Sequence, residues 1–360
     1  DLCNVLMCKR ILVSQTNTED GVPFYKIGTI GSTPDAYISK ELFDDYKVKY
    51  NYPRKGEVMI TCAGTVGKCV VYDGEDAYFQ DSNIVWIDNP TQYISNGFLF
   101  HLLSKVDWRK LNSTTIIRIY NDDLRNLKMS YPRKEEQQKI SHLLSLLDER
   151  IATQNKIIED LKKLKSAIIE IEYSPKDSYH SHIGGAIVQI SKRNKDNHLC
   201  NVLSVSNRQG FIKQSEQFED RNVASDDTSN YKIVEKNDFA YNPARINVGS
   251  IARLTKFETG IVSPMYICFR TKDCLLPEYL ELFFESRNFF YHIQKRLEGS
   301  VRLCLSYEEL CNIPIVIPSI EKQKQVDLHL SKLAQKIDLE MKILQFVQQQ
   351  KTYLLHQMFI

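Results

Sequence analysis

The side chains in this sequence best suited to contact a ligand are one arginine and two asparagines in a single short segment. Asn242, Arg245 and Asn247 lie in the stretch Asn-Pro-Ala-Arg-Ile-Asn, whose proline and polar residues are typical of a loop. Arginine and asparagine each present paired hydrogen-bonding groups, which allow bidentate contacts to the edges of guanine and adenine. The segment is therefore a candidate for base recognition. The alternative is a loop arginine paired with a carboxylate on the protein surface, and the residue types alone leave both open.

A turn near residue 64 is the parallel candidate in the first half of the chain. Thr61 and Lys68 lie at its two ends, and phosphate contact suits Lys68 better than base recognition because lysine supplies charge without a planar fork. Other polar residues near predicted turns or near the end of each half are weaker candidates for contact, with solvated turns or helix-capping loops as the alternative. These weaker candidates are Thr114, Arg208, Lys213, Ser300 and Arg302.

The sequence lacks the patterns that catalysis or metal binding would need. The stretch Gly64–Lys68 fails as a phosphate loop, because Cys62 replaces its first glycine and Cys69 replaces the Ser or Thr after the lysine. Asn242–Arg245 departs from the Asn-Pro-Pro-Tyr motif of adenine methyltransferases at its third and fourth positions. The nine cysteines include no C-x-x-C pair and no Cys/His spacing suited to zinc. We therefore expect no catalytic residue, metal or cofactor in this chain.

Composition and charge are those of a soluble globular protein. Hydrophobic residues make up 42% and charged residues 26%, and no apolar run is long enough to span a membrane. A formal net charge of +2 permits DNA binding without indicating it. The odd number and irregular spacing of the cysteines predict reduced thiols and a cytoplasmic location. The chain begins without a methionine or a signal-peptide pattern, so we expect a trimmed or partial chain.

The chain contains an internal repeat with an offset of 186 residues. Pro132 and Pro318 each precede a long segment of helical periodicity, and the same offset takes Gln137 to Gln323. In both segments the apolar positions recur in alternating steps of four and three, which predicts a heptad seam on a helix of roughly 60 Å. The predicted seam residues are Ile140, Leu144, Leu147, Ile151, Gln154, Ile158 and Leu161 in the first helix, and Val326, Leu330, Leu333, Ile337, Glu340, Leu344 and Val347 in the second.

Two helices with such seams would expose apolar surface unless they pack together. We expect antiparallel packing in the register that pairs Leu144 with Val347 and Leu161 with Leu330. This register puts Gln154 and Glu340 in neighbouring layers, where buried polar groups would fix the alignment.

The segments that precede the helices are predicted to be two related globular domains. Lys55–Ile60 parallels Lys236–Tyr241, and Val66–Val71 parallels Val248–Arg253, each with a turn and a β-rich run. A short strand is predicted near the end of each domain, at 127–131 and at 313–317. The fold class is therefore α+β. The predicted segments are a globular domain at 1–131, a long helix at 132–173, a globular domain at 174–317 and a long helix at 318–360.

This order of domain, helix, domain and helix resembles the specificity subunits of type I restriction–modification systems. The resemblance covers nearly the whole chain, and its most specific elements are the helix entry Glu135–Ile140, the later Leu161–Lys165 and the loop Asn242–Ile251. It implies two pseudo-repeated α/β target-recognition domains separated by a long antiparallel two-helix coiled coil. Each domain would bind one half of a split site in double-stranded DNA, and the coil would set the unread gap.

The resemblance also implies partners that carry the chemistry. Two modification subunits would bind S-adenosylmethionine and methylate adenine, and restriction subunits, when bound, would supply ATP- and Mg-dependent translocation and cleavage. The turn at 61–68 lacks the Asn-Pro-x-Arg of the second domain, so the family's DNA-contact loop is matched in the second domain only. The alternative from another class is a coiled-coil assembly protein whose globular domains bind proteins. A single-chain methyltransferase is disfavoured because the cofactor and catalytic motifs are missing.

Overall fold

The computed structural model describes residues 3–111, 118–174, 181–207, 209–217, 227–299 and 303–358. The chain forms two compact units. Unit 1 comprises Asp1–Asn155 and Lys342–Ile360, and unit 2 comprises Lys156–Met341. The boundary between the units falls within both long helices. The two units therefore differ from the four segments predicted from the sequence, which stay a prediction.

Unit 1 combines short strands with helices of very different length. Its strands are β1 Asn4–Leu6, β2 Val22–Tyr25, β3 Tyr37–Ile38, β4 Val58–Thr61, β5 Cys69–Val71, β6 Tyr78–Phe79 and β7 Ile84–Asp88. Its helices are α1 Lys40–Lys49, α2 Asn96–Lys105, α3 Trp108–Leu111, α4 Asn121–Arg125 and the first part of α5 Lys134–Glu172.

Unit 2 has the same kinds of elements. Its strands are β8 Ile187–Ile190, β9 Val202–Ser206, β10 Gly210–Lys213, β11 Lys232–Glu235, β12 Phe239–Tyr241, β13 Ile251–Arg253, β14 Thr259–Val262 and β15 Ile267–Thr271. Its helices are α6 Ile183–Ala186, α7 Gln214–Gln217, α8 Pro277–Phe284, α9 Arg287–Arg296, α10 Tyr307–Cys311 and the first part of α11 Ile320–Met358.

One four-stranded sheet of each unit repeats the same topology. In unit 1 the order is β1-β7-β4-β5, and in unit 2 it is β8-β15-β12-β13, with every neighbouring pair antiparallel. The register repeats as well, since Val58 pairs with Ile87 and Phe239 pairs with Phe269. The weak sequence match between the two globular parts therefore reflects a shared sheet.

Each unit has a second sheet and its own hydrophobic core. The second sheet is β3-β2-β6 in unit 1 and β10-β9-β14-β11 in unit 2, and each contains one parallel pair. Trp86 is buried in unit 1, where its ring packs among the aromatic and aliphatic side chains of β2, β4 and β6. In unit 2 the stacked rings of Phe239 and Phe269, with centroids 5.1 Å apart, occupy the equivalent sheet. Burial of such large apolar side chains is what stabilises domains of this size.

The long helices pack against each other within each unit, in antiparallel directions. In unit 1, Leu144 near the start of α5 shares a hydrophobic core with Leu354 near the end of α11. In unit 2, Ile169 near the end of α5 shares a core with Val326 near the start of α11. The mixed α+β class with two sheet-containing domains and long helices is confirmed. The exact residue pairing between the helices stays a prediction.

The two short strands predicted near the domain ends are wrong. Residues 127–131 are not a strand, and residues 313–317 contain only an isolated bridge between Pro314 and His182. A strand exists only where a neighbour supplies hydrogen bonds along its length, and Pro314 has no N–H to continue a ladder. Residues 313–317 therefore pair with the segment around His182 at one bridge only, and no ladder extends from it.

Candidate nucleic-acid interface

The loop 242–250 of unit 2 connects β12 to β13 and is anchored at its centre. Ile246 is buried in the core, while Arg245 and Asn247 on either side of it are exposed. Gly249 has a φ of 90°, a left-handed conformation that favours glycine, and it closes the 3-10 turn Ile246–Val248. The backbone N–H of Ser250 donates to the carbonyl of Arg245 at 3.1 Å. The loop is thus fixed at its base and presents polar side chains to solvent.

The polar side chains of this loop differ in their surroundings. No described residue forms a hydrogen bond or ion pair with the Arg245 guanidinium, so the surface-pair alternative finds no support within that part of the chain. The side chain of Asn242 is half-buried and its Oδ1 accepts from the N–H of Ala244 at 3.1 Å. Asn242 therefore shapes the loop, whereas Arg245 and Asn247 are available to a ligand.

A cleft of about 490 Å³ lies beside this loop, inside unit 2. Its lining includes Asn207 and Gly210 at the turn between β9 and β10, Gly249 of the loop, and Phe289 and Phe290 of α9. The structure thus brings the β9–β10 turn and the loop 242–250 to one cleft. The two phenylalanines were not identified from the sequence, where nothing distinguished them from core residues.

The charges that line the cleft are already paired. Arg253 forms ion pairs with Glu278 and with Glu281, the latter at 2.9 Å, and its side chain is only 12% exposed. Burial raises the pKa of Glu281, and the adjacent Arg253 acts in the opposite direction. Glu285 is bound by Lys165 at 2.6 Å. The cleft therefore presents neutral polar and aromatic groups rather than a free charge.

The equivalent turn of unit 1, between β4 and β5, is held more tightly. Thr61 is fully buried, its hydroxyl accepts from the N–H of Lys68 at 3.0 Å, and it donates to the carbonyl of Thr65. The Lys68 ammonium donates to the carbonyl of Ile30, although the residue is exposed. Gly67 packs on Trp108, because a Cβ there would lie 2.3 Å from the Trp108 ring. This placement gives Thr61 a role in holding the turn, while Lys68 remains accessible.

The weaker candidates fall into two groups. Lys213 is exposed at the end of β10, in the other sheet of unit 2 from the one that bears Arg245. The remaining four, Thr114, Arg208, Ser300 and Arg302, lie outside the described residues.

The predicted seam residues of the long helices are all buried or half-buried. Leu144 and Leu330 are 0% and 1% exposed, whereas Leu143 and Leu339 on other faces are 40% and 51% exposed. The two polar seam residues, Gln154 and Glu340, are each 7% exposed, and Lys336 forms an ion pair with Glu340 at 2.5 Å. The burial pattern follows the seven-residue periodicity of the sequence.

The described residues offer no site for a metal ion. Within those ranges no group of three or more His, Cys, Asp or Glu side chains could hold one. The nine cysteines are free thiols, and burial raises the pKa of Cys62 to about 11, so that thiol stays protonated near neutral pH. Among the helices that the structure describes, none has the length and apolar character needed to cross a membrane.

Sequence comparison finds a family match for the first part of the chain. Residues 1–163 match the model of the family described as Type I restriction modification DNA specificity domain. A putative type I restriction enzyme specificity subunit from Haemophilus influenzae is 49% identical to this chain over 161 residues. The matched region is 45% of this chain and 41% of that relative, so the chain spans about two fifths of the length of the curated relative.

Structural comparison finds similar folds over nearly the whole chain. The type I restriction–modification S subunit from M. genitalium matches with a TM-score of 0.61 and 16% identity, over 100% of this chain and 94% of that chain. A second solved structure concerns complex assembly and conformational transition of the type I restriction–modification system. It matches with a TM-score of 0.54 and 14% identity, over 95% of this chain and 92% of that chain. At these identities the likeness shows the fold alone.

Proposed function

We propose that this chain is the DNA-recognition subunit of a type I restriction–modification complex and performs no chemistry itself. The observation that carries the proposal is the repetition of one sheet. Residues 1–163 match the model of a DNA specificity domain, and β8-β15-β12-β13 of unit 2 repeats the order and register of the sheet β1-β7-β4-β5 in unit 1. A chain with two such units can bind two half-sites, where one unit could bind only one.

Each unit would read one half of a split site in double-stranded DNA. In unit 2 the bases are contacted by Arg245 and Asn247, the exposed residues of the loop 242–250, since their side chains can bond guanine and adenine edges in pairs. In unit 1 Lys68 contacts phosphate. Lys213 and the four candidates outside the described residues are proposed to contact the DNA backbone as well. Phosphate contacts supply much of the affinity, so binding falls steeply with salt.

The two long helices would set the gap between the half-sites. Each is 39 residues long, they pack antiparallel within each unit, and their seams are buried. A pair of helices with a fixed register is stiff enough to serve as a spacer, which would hold the two reading loops at one distance and one angular phase on the duplex.

The reaction would be carried out by partner subunits. Two modification subunits bind S-adenosylmethionine and methylate adenine in the recognised site, and restriction subunits, when present, use ATP and Mg for translocation and cleavage. The complex works in the cytoplasm, where its DNA target is. This chain alone is expected not to bind S-adenosylmethionine, and isothermal titration calorimetry checks that expectation.

Methylome sequencing tests the proposal. Cells that express this chain with its modification subunits should carry methylated adenine in one motif made of two short half-sites and an unread gap of constant length. Cells with the modification subunits alone serve as the control and should lack that motif. A contiguous motif, or a motif that does not depend on this chain, would refute the proposal. A coiled-coil assembly protein predicts no motif at all.

A further inference from the structure

Two equivalent glutamines interrupt the apolar seams of the long helices at the same place. Gln137 and Gln323 are each the fourth residue of their helix, and they are 1% and 0% exposed. A buried amide destabilises a fold unless its polar atoms are hydrogen-bonded, so a polar residue held at this position in both halves calls for a physical reason.

Both amides are saturated by the same set of bonds. The Gln137 side chain accepts from the N–H of Ser95 at 2.8 Å and donates to the carbonyls of Tyr93 at 3.0 Å and Pro132 at 2.9 Å. The Gln323 side chain accepts from the N–H of Leu276 at 2.8 Å. It donates to the carbonyls of Cys274 at 3.0 Å and Pro318 at 2.9 Å. Both N–H groups of each amide are used, which fixes its orientation.

The partner groups sit at the same point in each unit. Ser95 is the residue that precedes α2, and Leu276 is the residue that precedes α8. Each glutamine therefore joins the first turn of a long helix to the start of the first helix that follows the repeated sheet. The bonds stay within one unit in both cases.

All six bonds are made to backbone atoms. Two of the three partner residues differ in type between the units, tyrosine against cysteine and serine against leucine, and the third is a proline in both. A joint made from backbone atoms keeps its geometry when the surrounding side chains change. Two units with different loops can therefore be attached to their helices at the same angle.

We propose that Gln137 and Gln323 are positioning residues. Each would fix the orientation of the sheet-containing part of its unit on the long helix, and so set the length of the gap between half-sites that the complex tolerates. This inference rests on the proposed function, because it concerns how the two half-sites are spaced. Loss of one joint lets a unit tilt on its helix. The half-site sequence is still read by the same loop, but sites with a neighbouring gap length become acceptable.

The test measures gap preference in the complex of this chain with its modification subunits. Gln137→Met and Gln323→Met, alone and together, remove all three bonds of an amide while keeping the length and helix propensity of the side chain. Gln138→Met and Gln325→Met, at exposed positions near the starts of the same helices, are the matched controls. Methylation is scored on a DNA library that keeps the half-sites of the native motif and varies the gap by one base pair in either direction.

The expected result is an unchanged half-site sequence with a preference for the native gap that falls by about tenfold, the order expected when hydrogen bonds that hold one orientation are lost. The control variants keep the native preference. A gap preference as narrow as that of the unchanged protein, together with a lower melting temperature, would show that the glutamines only stabilise the fold and would overturn the inference. Loss or alteration of one half-site sequence would overturn it as well.

Two features keep the test decisive. If Gln137→Met or Gln323→Met fails to fold, Gln137→Asn and Gln323→Asn keep the amide but shorten the side chain by one methylene, and the same readout applies. If the unchanged protein directs no split motif, it is the proposed function that fails. A split motif with an unaltered gap preference in the variants is the separate failure of the joint.

Discussion

The ammonium group of Lys351 on α11 forms an ion pair with the carboxylate of Asp148 on α5, within unit 1. Under the offset of 186 residues Lys351 corresponds to Lys165, which instead binds Glu285 at 2.6 Å in unit 2. Asp148 corresponds to Ala334, so the second half has no acid at this position. The equivalent lysines thus bind different partners: Lys351 pairs with the other long helix in unit 1, and Lys165 pairs with the globular part of unit 2.

The Lys351–Asp148 pair should add little to stability. The two side chains are 22% and 39% exposed, so solvent screens the attraction, and a double-mutant cycle of Lys351→Met and Asp148→Asn should give a coupling energy of about 1 kcal/mol or less. Chemical denaturation at low and high salt measures it, and the coupling should shrink with salt. The fully exposed pair Glu159–Lys163 is the control and should couple more weakly. A coupling that is large and independent of salt would contradict this assignment.

His101 should make the protein less stable in mild acid. Its imidazole on α2 is 1% exposed, and no described residue bonds its Nε2. Burial lowers the pKa of His101; Asp148 acts to raise it and Lys351 to lower it. The folded state therefore binds this proton less readily than the unfolded chain. The contribution of the neutral His101 to the free energy of unfolding is present above a pH of about 6.5 and is lost as the pH falls below that value.

The His101→Phe variant tests this pH dependence. Its free energy of unfolding should fall less between pH 7 and pH 5 than that of the unchanged protein, as followed by urea denaturation. His142→Phe, at an exposed position of α5, is the control for the replacement itself. Equal slopes for His101→Phe and the unchanged protein would rule out His101 as the titrating group.

Truncation of a seam residue should be costly where truncation of an exposed leucine is not. Leu330 is 1% exposed and lies in the core that α5 and α11 share in unit 2, so Leu330→Ala should lower the free energy of unfolding by about 2–5 kcal/mol. Leu339 is 51% exposed on the same helix, and Leu339→Ala should change it by roughly 0.5 kcal/mol or less. Thermal and urea unfolding measure both. Similar losses for the two variants would argue against a buried seam.

Arg245 should contribute to recognition of one half-site. Arg245→Ala should weaken binding of the complex to its target by about 1–3 kcal/mol, roughly 5- to 150-fold, and should relax the sequence preference in one half-site only. Lys236→Ala is the control, because it removes the same charge from an exposed side chain that is already paired with Glu258. A uniform loss at all sequences would assign Arg245 to phosphate contact instead.

The long helices and the repeat could be predicted from the sequence because their signals are local and periodic. The seven-residue pattern around Leu144 and Leu330 needs only spacing to be recognised, and both are buried. Strands β4 and β12 could also be predicted, because Val58 and Phe239 each follow a lysine and a turn in a stretch that the two halves share.

The rest depends on contacts that sequence spacing does not encode. The burial of Thr61 follows from its place at the end of β4, where it bonds the residues of the β4–β5 turn, and the missing strands at 127–131 and 313–317 follow from the lack of an extended ladder there. The hydrogen bonds of Gln137 reach residues more than forty positions away. One signal for this joint was available, since the repeat aligned Gln137 with Gln323 inside apolar seams.

The most direct measurement of the central claim is the gap in the methylated motif after the helices are lengthened. One heptad is inserted after Asn155 and another after Gln335, positions that face each other in the predicted register, and the methylome is sequenced in cells that also express the modification subunits. Seven helical residues add about 10 Å, roughly the length of three base pairs, so the gap should lengthen while both half-sites stay the same. A motif with the original gap would contradict the claim that these helices set the spacing.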